Sequence, residues 1–231
     1  MSDSKKIYKE VVFSSISVVE DYFSKNNLQP SSFYPIAITT TKQSTGWAHS
    51  HASTPLKTGL LEIVSSKVNK PIFIKEFDKD DAPSIQGCCL EKENSATIYV
   101  SKNLNFCWRR FIVAKELSHL LINKVDNELR NSDMDDVLEL MSFLVTQGSE
   151  AKNNIQLSEY IAYLGAIEML MPKMFIDNGL FESSNIVERI KCPKQMFEAR
   201  QISPLKEIFT NVYSDPMSEM AGIIDKLNRA N

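Results

Sequence analysis

Glycine is scarce in this sequence. The seven glycines form neither G-x-G-x-x-G nor G-x-x-x-x-G-K-S/T, so the phosphate-cradling loops of nucleotide-binding folds are not expected. G-x-S-x-G is also missing, which removes the nucleophile elbow of α/β-hydrolases. Of four cysteines, Cys88 and Cys89 are adjacent while Cys107 and Cys192 stand alone. Without a C-x-x-C spacing, they read as reduced, partly buried small hydrophobes rather than a zinc cluster or a disulfide framework. No apolar run approaches the roughly 20 residues a membrane span needs. Near the start, Lys9, Glu10, Glu20 and Asp21 interrupt the hydrophobic residues before signal-peptide length is reached, so a cytoplasmic location is expected. An excess of positive charge is lacking too. With 26 Lys and Arg against 29 Asp and Glu, no overall field draws the chain onto nucleic acid or an anionic membrane. Neither partner is expected.

What is present suits a folded domain. A hydrophobic fraction of 43% and a charged fraction of 24% exclude disordered and fibrous classes, and 231 residues suffice to bury a core. Val11, Val12, Ile16, Val19 and Phe23 recur at three- and four-residue intervals, predicting an amphipathic helix over 7–25. A polar, Thr- and Ser-rich stretch follows, and "LKTGLLEIVSSKVNK" reads as a helix closed by Pro71. "PIFIKEF", "IQGCCLE" and "ATIYV" are β-type runs, the last two joined by the turn-forming "KENS" as a hairpin. From Phe106 the period changes: 106–122 is apolar nearly all round and predicts a buried helix. A further helix is expected over about 133–146, as an insertion or lid. "IQLSEYIAYLGAIEMLMP" predicts a second strongly apolar helix that stops at Pro172. Shorter helices are expected over about 184–191, 193–201, 204–212 and 216–229. Met217, Met220, Ile223, Ile224 and Leu227 give the last of these an apolar stripe that suits core or a partner helix.

The chemistry gathers in "KELSH". On a helix, residues 115 and 119 share a face one turn apart, the spacing at which two side chains converge on one metal ion. In a His-Glu-x-x-His motif the intervening glutamate acts on a metal-bound water. Here Glu116 and His119 occupy the second and last positions, and Lys115 stands where the first histidine would be. Glu159, on the second apolar helix, is the candidate third ligand. Ser118, Ala162, Gly165 and Ala166 are small enough to let the two helices approach closely.

These residues resemble the ImmA/IrrE-type metallopeptidases, a zincin group found beside phage and mobile-element repressors. Arg109, Phe111, Ala114, Glu116, His119 and Leu121 match the family's first helix, R-x-F-x-x-A-H-E-x-x-H-x-L. Glu159, Ala162, Ala166, Leu170, Met171 and Pro172 match its second, and the strand "ATIYVSKNL" precedes the first helix in the expected order. The resemblance covers roughly 70–200. It implies an α+β, zincin-like metallopeptidase fold with a small sheet, two central helices and a helical C-terminal subdomain. The expected divisions are an N-terminal helical region with a polar loop over 1–69, a metallopeptidase-like core over 70–175 and the C-terminal subdomain over 176–231. It also implies a bacterial regulatory protease acting on a Cro/CI-like repressor, with zinc as its cofactor, His119 and Glu159 as ligands and Glu116 as catalytic base.

Lys115 changes that expectation. An ammonium with an ordinary pKa of about 10.4 has no lone pair for zinc and repels the ion. It leaves two protein ligands in place of the usual three. The alternative role is structural: the Lys115 ammonium occupies the metal position and bridges Glu159 and Glu116. The leading expectation is a pseudoenzyme that binds a repressor or antitoxin-like partner, with zinc weakly held or missing. The competing one is an active metal-dependent endopeptidase with an unconventional third ligand. His49 and His51, in "WAHSHA", are the candidate substitutes, although the plain reading of H-x-H here is a polar loop. A Cys-His pair formed by Cys107 or Cys88 with His119 is available in composition only, since nothing local marks an activated thiol.

Overall fold

The computed structural model describes residues 3–28, 35–40, 56–78, 85–122, 131–133, 154–172, 191–193 and 196. Among them, four helices and a small sheet make a mixed α+β fold. Helix α1 (Asp3–Asn26) buries Val11, Val12, Ile16 and Val19 of the expected stripe, with Tyr22 buried in place of Phe23, which is only partly covered. Asn26 ends it. Its carboxamide donates to Tyr22 O (2.8 Å) and Thr58 O (2.9 Å) and accepts from Lys57 N (2.7 Å) and Thr58 N (3.1 Å). One side chain thus ties the end of α1 to the approach to α2.

Helix α2 (Leu60–Val68) is shorter than the expected segment at both ends. It starts at Gly59 because Glu62 reaches back to accept from the Gly59 amide (2.8 Å), satisfying a donor that the helix leaves free. A side chain at Gly59 would lie 2.7 Å from Thr39 Cα, so only glycine lets the segment at 36–40 pass. The helix stops at Asn69, whose φ of 53° is the left-handed conformation that ends helices, before Pro71 is reached.

The sheet holds β1 (Ile72–Phe77), β2 (Ile85–Glu91), β3 (Ala96–Ser101) and the short β4 (Asn131–Asp133), in spatial order β1-β3-β2-β4. The expected hairpin is present: β2 and β3 are antiparallel with Cys89 opposite Ile98, and Lys92 N donates to Ser95 O (2.8 Å) across the turn. β1 instead runs parallel to β3, pairing Ile74 with Ile98. Ile72, Cys89, Ala96, Ile98 and Val100 are buried. Thr97, out of phase with them, lies between Phe73 and Leu90, which remain 46% and 49% exposed. β4 pairs antiparallel with β2. Its last residue begins the span expected as the 133–146 helix, and the rest of that span lies outside the described residues.

Helix α3 (Phe106–Leu121) lies against the sheet. Asn105 caps it by accepting from Trp108 N (3.1 Å), and every residue from Arg110 to Leu120 is buried. Its approach to β2 is so close that a Cβ on Gly87 would overlap the γ2 methyl of Ile112. Helix α4 (Asn154–Leu170) is buried from Ile161 onward and ends before Pro172, as the proline requires. Gly165 sits where α1, α3 and α4 converge. A Cβ there would lie 2.6 Å from Ser118 Oγ and 2.9 Å from Ser15 Oγ.

Val12, Ile16, Tyr22, Leu60 and Ile63 belong to one hydrophobic core with Phe111, Leu117, Tyr163 and Ile167. Of the region 176–231, Cys192 and Met196 join that core. The helices expected over 204–212 and 216–229, and nearly all of 184–191 and 193–201, lie outside the described residues. No described helix is long and apolar enough to cross a membrane.

Candidate functional site

Lys115, Glu116, His119 and Glu159 come together between α3 and α4. Lys115 and Glu116 have no exposed surface, His119 is 2% exposed, and the Glu159 side chain is 13% exposed. Burial follows from position, because α3 is covered by the sheet on one side and by other helices elsewhere. Lys115 Nζ donates to Glu159 Oε2 at 2.8 Å. It also lies 3.0 Å from Glu116 Oε1, off the axis of a hydrogen bond, so that contact is charge attraction rather than a directed bond. His119 Nε2 approaches Glu159 Oε1 at 2.9 Å in the same misaligned way.

The electrostatics follow. Burial alone would push the Lys115 ammonium down, but Glu116 and Glu159 outweigh it and hold its pKa above the usual value. Burial would likewise raise Glu159, yet Lys115 first and then His119 bring it down to about 2. Both partners are therefore ionised across the neutral range. The ring of Tyr163, 5.9 Å from Lys115 Nζ, and that of Phe111, 5.3 Å from Tyr163, wall the cluster with apolar surface. Neither carboxylate oxygen of Glu116 has an aligned hydrogen-bond partner among the described residues. Such a group is costly to bury, and the nearby ammonium offsets part of that cost.

Comparison with known proteins adds no relative to this geometry. No family model, curated protein or solved structure matches the chain. The site therefore has to be read from its own residues. Among those described, no group of three or more His, Cys, Asp or Glu side chains is arranged to hold a metal ion. His49 and His51, the candidate substitute ligands, lie outside the described residues.

Two other groups near α3 carry more than the sequence suggested. Arg109 and Arg110 read as surface residues or partners of acidic groups. Arg109 does pair with Glu76 (2.9 Å), but Arg110 is fully buried and donates to the carbonyls of Ile36 (2.7 Å) and Lys191 (3.0 Å). Cys88, half-buried on β2, is raised by burial first and then by the charge of Glu116, with Lys115 opposing. Its placement gives the cluster a thiol neighbour but not an activated one. Only the alternation of β2 could have hinted at it, and a bulge between Ile85 and Gly87 disturbs that alternation.

Proposed function

We propose that this chain is a metallopeptidase-like regulatory protein of the ImmA/IrrE, zincin type in which Lys115 has taken the place of the catalytic metal. In this reading it binds a partner protein, a phage-type repressor or antitoxin, without cutting it. The observation that carries the proposal is the Lys115 ammonium, fully buried and within 3.0 Å of both Glu116 and Glu159. A fixed cation between these carboxylates supplies the positive charge that a divalent ion would bring.

Zinc does not fit this donor set. His119 and Glu159 are two donors where catalytic zinc sites use three, and Glu159 is already committed to an ammonium held charged by its neighbours. Nothing in this arrangement offers a proton acceptor poised on a metal-bound water. Glu116, the base in the active family pattern, here is fully buried and faces Lys115 at 3.0 Å. The cluster instead fastens α3 to α4 and so fixes whatever surface the two helices carry.

Elemental analysis of protein purified without a histidine tag tests the reading, on the wild type and on Lys115→His. Wild type is expected to hold far less than one zinc per chain, and Lys115→His to recover about one, because histidine restores the third donor. A stoichiometric zinc in wild type would overturn the proposal in favour of an active endopeptidase. Failure of Lys115→His to gain metal would count against the family reading itself. Mixing with a Cro/CI-like repressor encoded beside it should give a complex in which the repressor stays full length.

A further inference from the structure

One edge of the sheet is left open. β1 is its terminal strand in the order β1-β3-β2-β4, and no described strand lies beyond it. Ala96 N donates to Pro71 O (2.9 Å) and Lys102 N to Phe77 O (3.0 Å), so the odd-numbered residues of β1 turn their peptide groups toward β3. The amides and carbonyls of Ile72, Ile74 and Glu76, which alternate with them, therefore point away from the sheet. Ile74 stays part-exposed although Ile98, its partner on β3, is fully buried, as expected of a strand with no neighbour on that side.

An open edge is a template for another strand, and the side chains beside it decide which strand fits. Phe73 and Lys75 are both exposed and, two residues apart, project from the same outer face. Phe73 and Leu90 are the exposed large hydrophobics among the described residues, and they sit on that one face with Thr97 between them. Apolar surface thus runs up to the open edge, where Lys75 stands next to it.

We propose that this edge is filled by β1 of a second copy of the chain, antiparallel and related by a two-fold axis at Ile74, so that one sheet continues across a dimer. In such an interface residue i meets j and j meets i, which leaves few registers to consider. An axis between two residues would set outward peptide groups against groups already bonded to β3. An axis at Phe73 sets Glu76 against Lys70, whose amide is already given to Ser65 O (3.1 Å). An axis at Lys75 sets the two lysines face to face, which is unfavourable. With the axis at Ile74, Ile74 meets its own copy and Ile72 meets Glu76 of the partner subunit, so every outward amide and carbonyl of both strands is paired. The same register sets Phe73 opposite Lys75 of the partner subunit at a non-hydrogen-bonded position, where facing side chains come closest and an ammonium can lie over the ring. Glu76 keeps its own partner, Arg109 (2.9 Å). This match of cation to ring, made twice by symmetry, favours a second copy over an unrelated extended peptide. The inference does not rest on how the Lys115 cluster is read.

Sedimentation of the full-length protein tests it, on wild type, Phe73→Lys and the double variant Phe73→Lys/Lys75→Glu, each checked for folding by circular dichroism. Both positions are exposed, so the fold tolerates the changes. Wild type should pass from one chain to two between about 1 and 200 µM, as befits an interface at the small end of the specific range. Phe73→Lys brings lysine against Lys75 of the partner subunit and should weaken association roughly tenfold. Adding Lys75→Glu turns the same contact into an opposite-charge pair and should recover most of that loss. Wild type that stays a single chain at about 200 µM would overturn the proposal. So would a dimer indifferent to Phe73→Lys, or one that the added Lys75→Glu fails to restore.

Discussion

Replacing Lys115 by methionine keeps a long side chain in the pocket and removes its charge. Glu116 is fully buried and Glu159 nearly so, and both would then face apolar surface without their cation. Glu159 sets the scale: its pKa falls from an ordinary 4.5 to about 2 on folding, chiefly because Lys115 outweighs burial. At 1.36 kcal/mol per unit this corresponds to about 3 kcal/mol at neutral pH. That agrees with the ~3–5 kcal/mol lost when one partner of a buried pair is removed. For a chain of this size the melting temperature should drop by roughly 6–12 °C.

The pH dependence has a definite sign. Glu159 is depressed, so its contribution is present above the unfolded value of 4.5 and disappears as pH falls toward about 2. Lys115 is raised, so its contribution is complete below its ordinary 10.5 and is lost only as pH climbs beyond that. The gap between wild type and Lys115→Met should therefore be widest from about pH 5 to pH 10 and shrink to about 1.5 kcal/mol or less near pH 3. Urea unfolding followed by circular dichroism at both ends of that range measures it. A gap below about 1 kcal/mol at neutral pH, or one unchanged in acid, would refute the argument that this ion pair is a stabilising element.

Other substitutions probe the supports of the site. Gly165→Ala drives a methyl to within 2.6 Å of Ser118 Oγ and 2.9 Å of Ser15 Oγ, and should cost about 1–3 kcal/mol in thermal unfolding even though alanine favours helix. Asn26→Ala strips two donors and two acceptors at the end of α1 of their partner. A loss of about 2–3 kcal/mol in denaturant unfolding is expected, with early hydrogen exchange at Lys57 and Thr58. Lys70→Ala removes a partly exposed pair with Glu91 and should change stability by less than about 1 kcal/mol, with the difference vanishing in high salt.

The local parts of the fold were legible in the sequence. Asn and Ser in "KENS" turn the chain between two β runs, Pro172 stops α4, and an unbroken apolar surface on 106–122 announces a buried helix. The proximity of residues 115, 116 and 119 was legible for the same reason, since helical spacing fixes which side chains lie close together, whereas the place of Glu159 beside them, on another helix, was an expectation of the family resemblance. What escaped was non-local. The parallel pairing of β1 with β3 depends on how the chain crosses over, and no pattern within "PIFIKEF" distinguishes it from a meander. Arg110 escaped because a helix buried on all sides has no polar face, so its charge suggested solvent where the fold supplies carbonyls. The start of α2 was misjudged because its cap is Gly59, held by Glu62 three residues on, and Glu62 in turn accepts from Thr39, which lies far away in sequence.

The burial of α3 has a kinetic consequence. Arg110 to Leu120 are all inaccessible, so their amides should exchange with solvent only when α4 and the sheet separate from this helix. The Lys115 cluster then lies in the last part of the molecule to open. Apart from the 13% of the Glu159 side chain that is exposed, solution reaches it only through such opening. Any partner that responds to its state must do so through the set of surfaces that α1, α4 and the sheet present, and the ions inside act as a fixed brace rather than a contact.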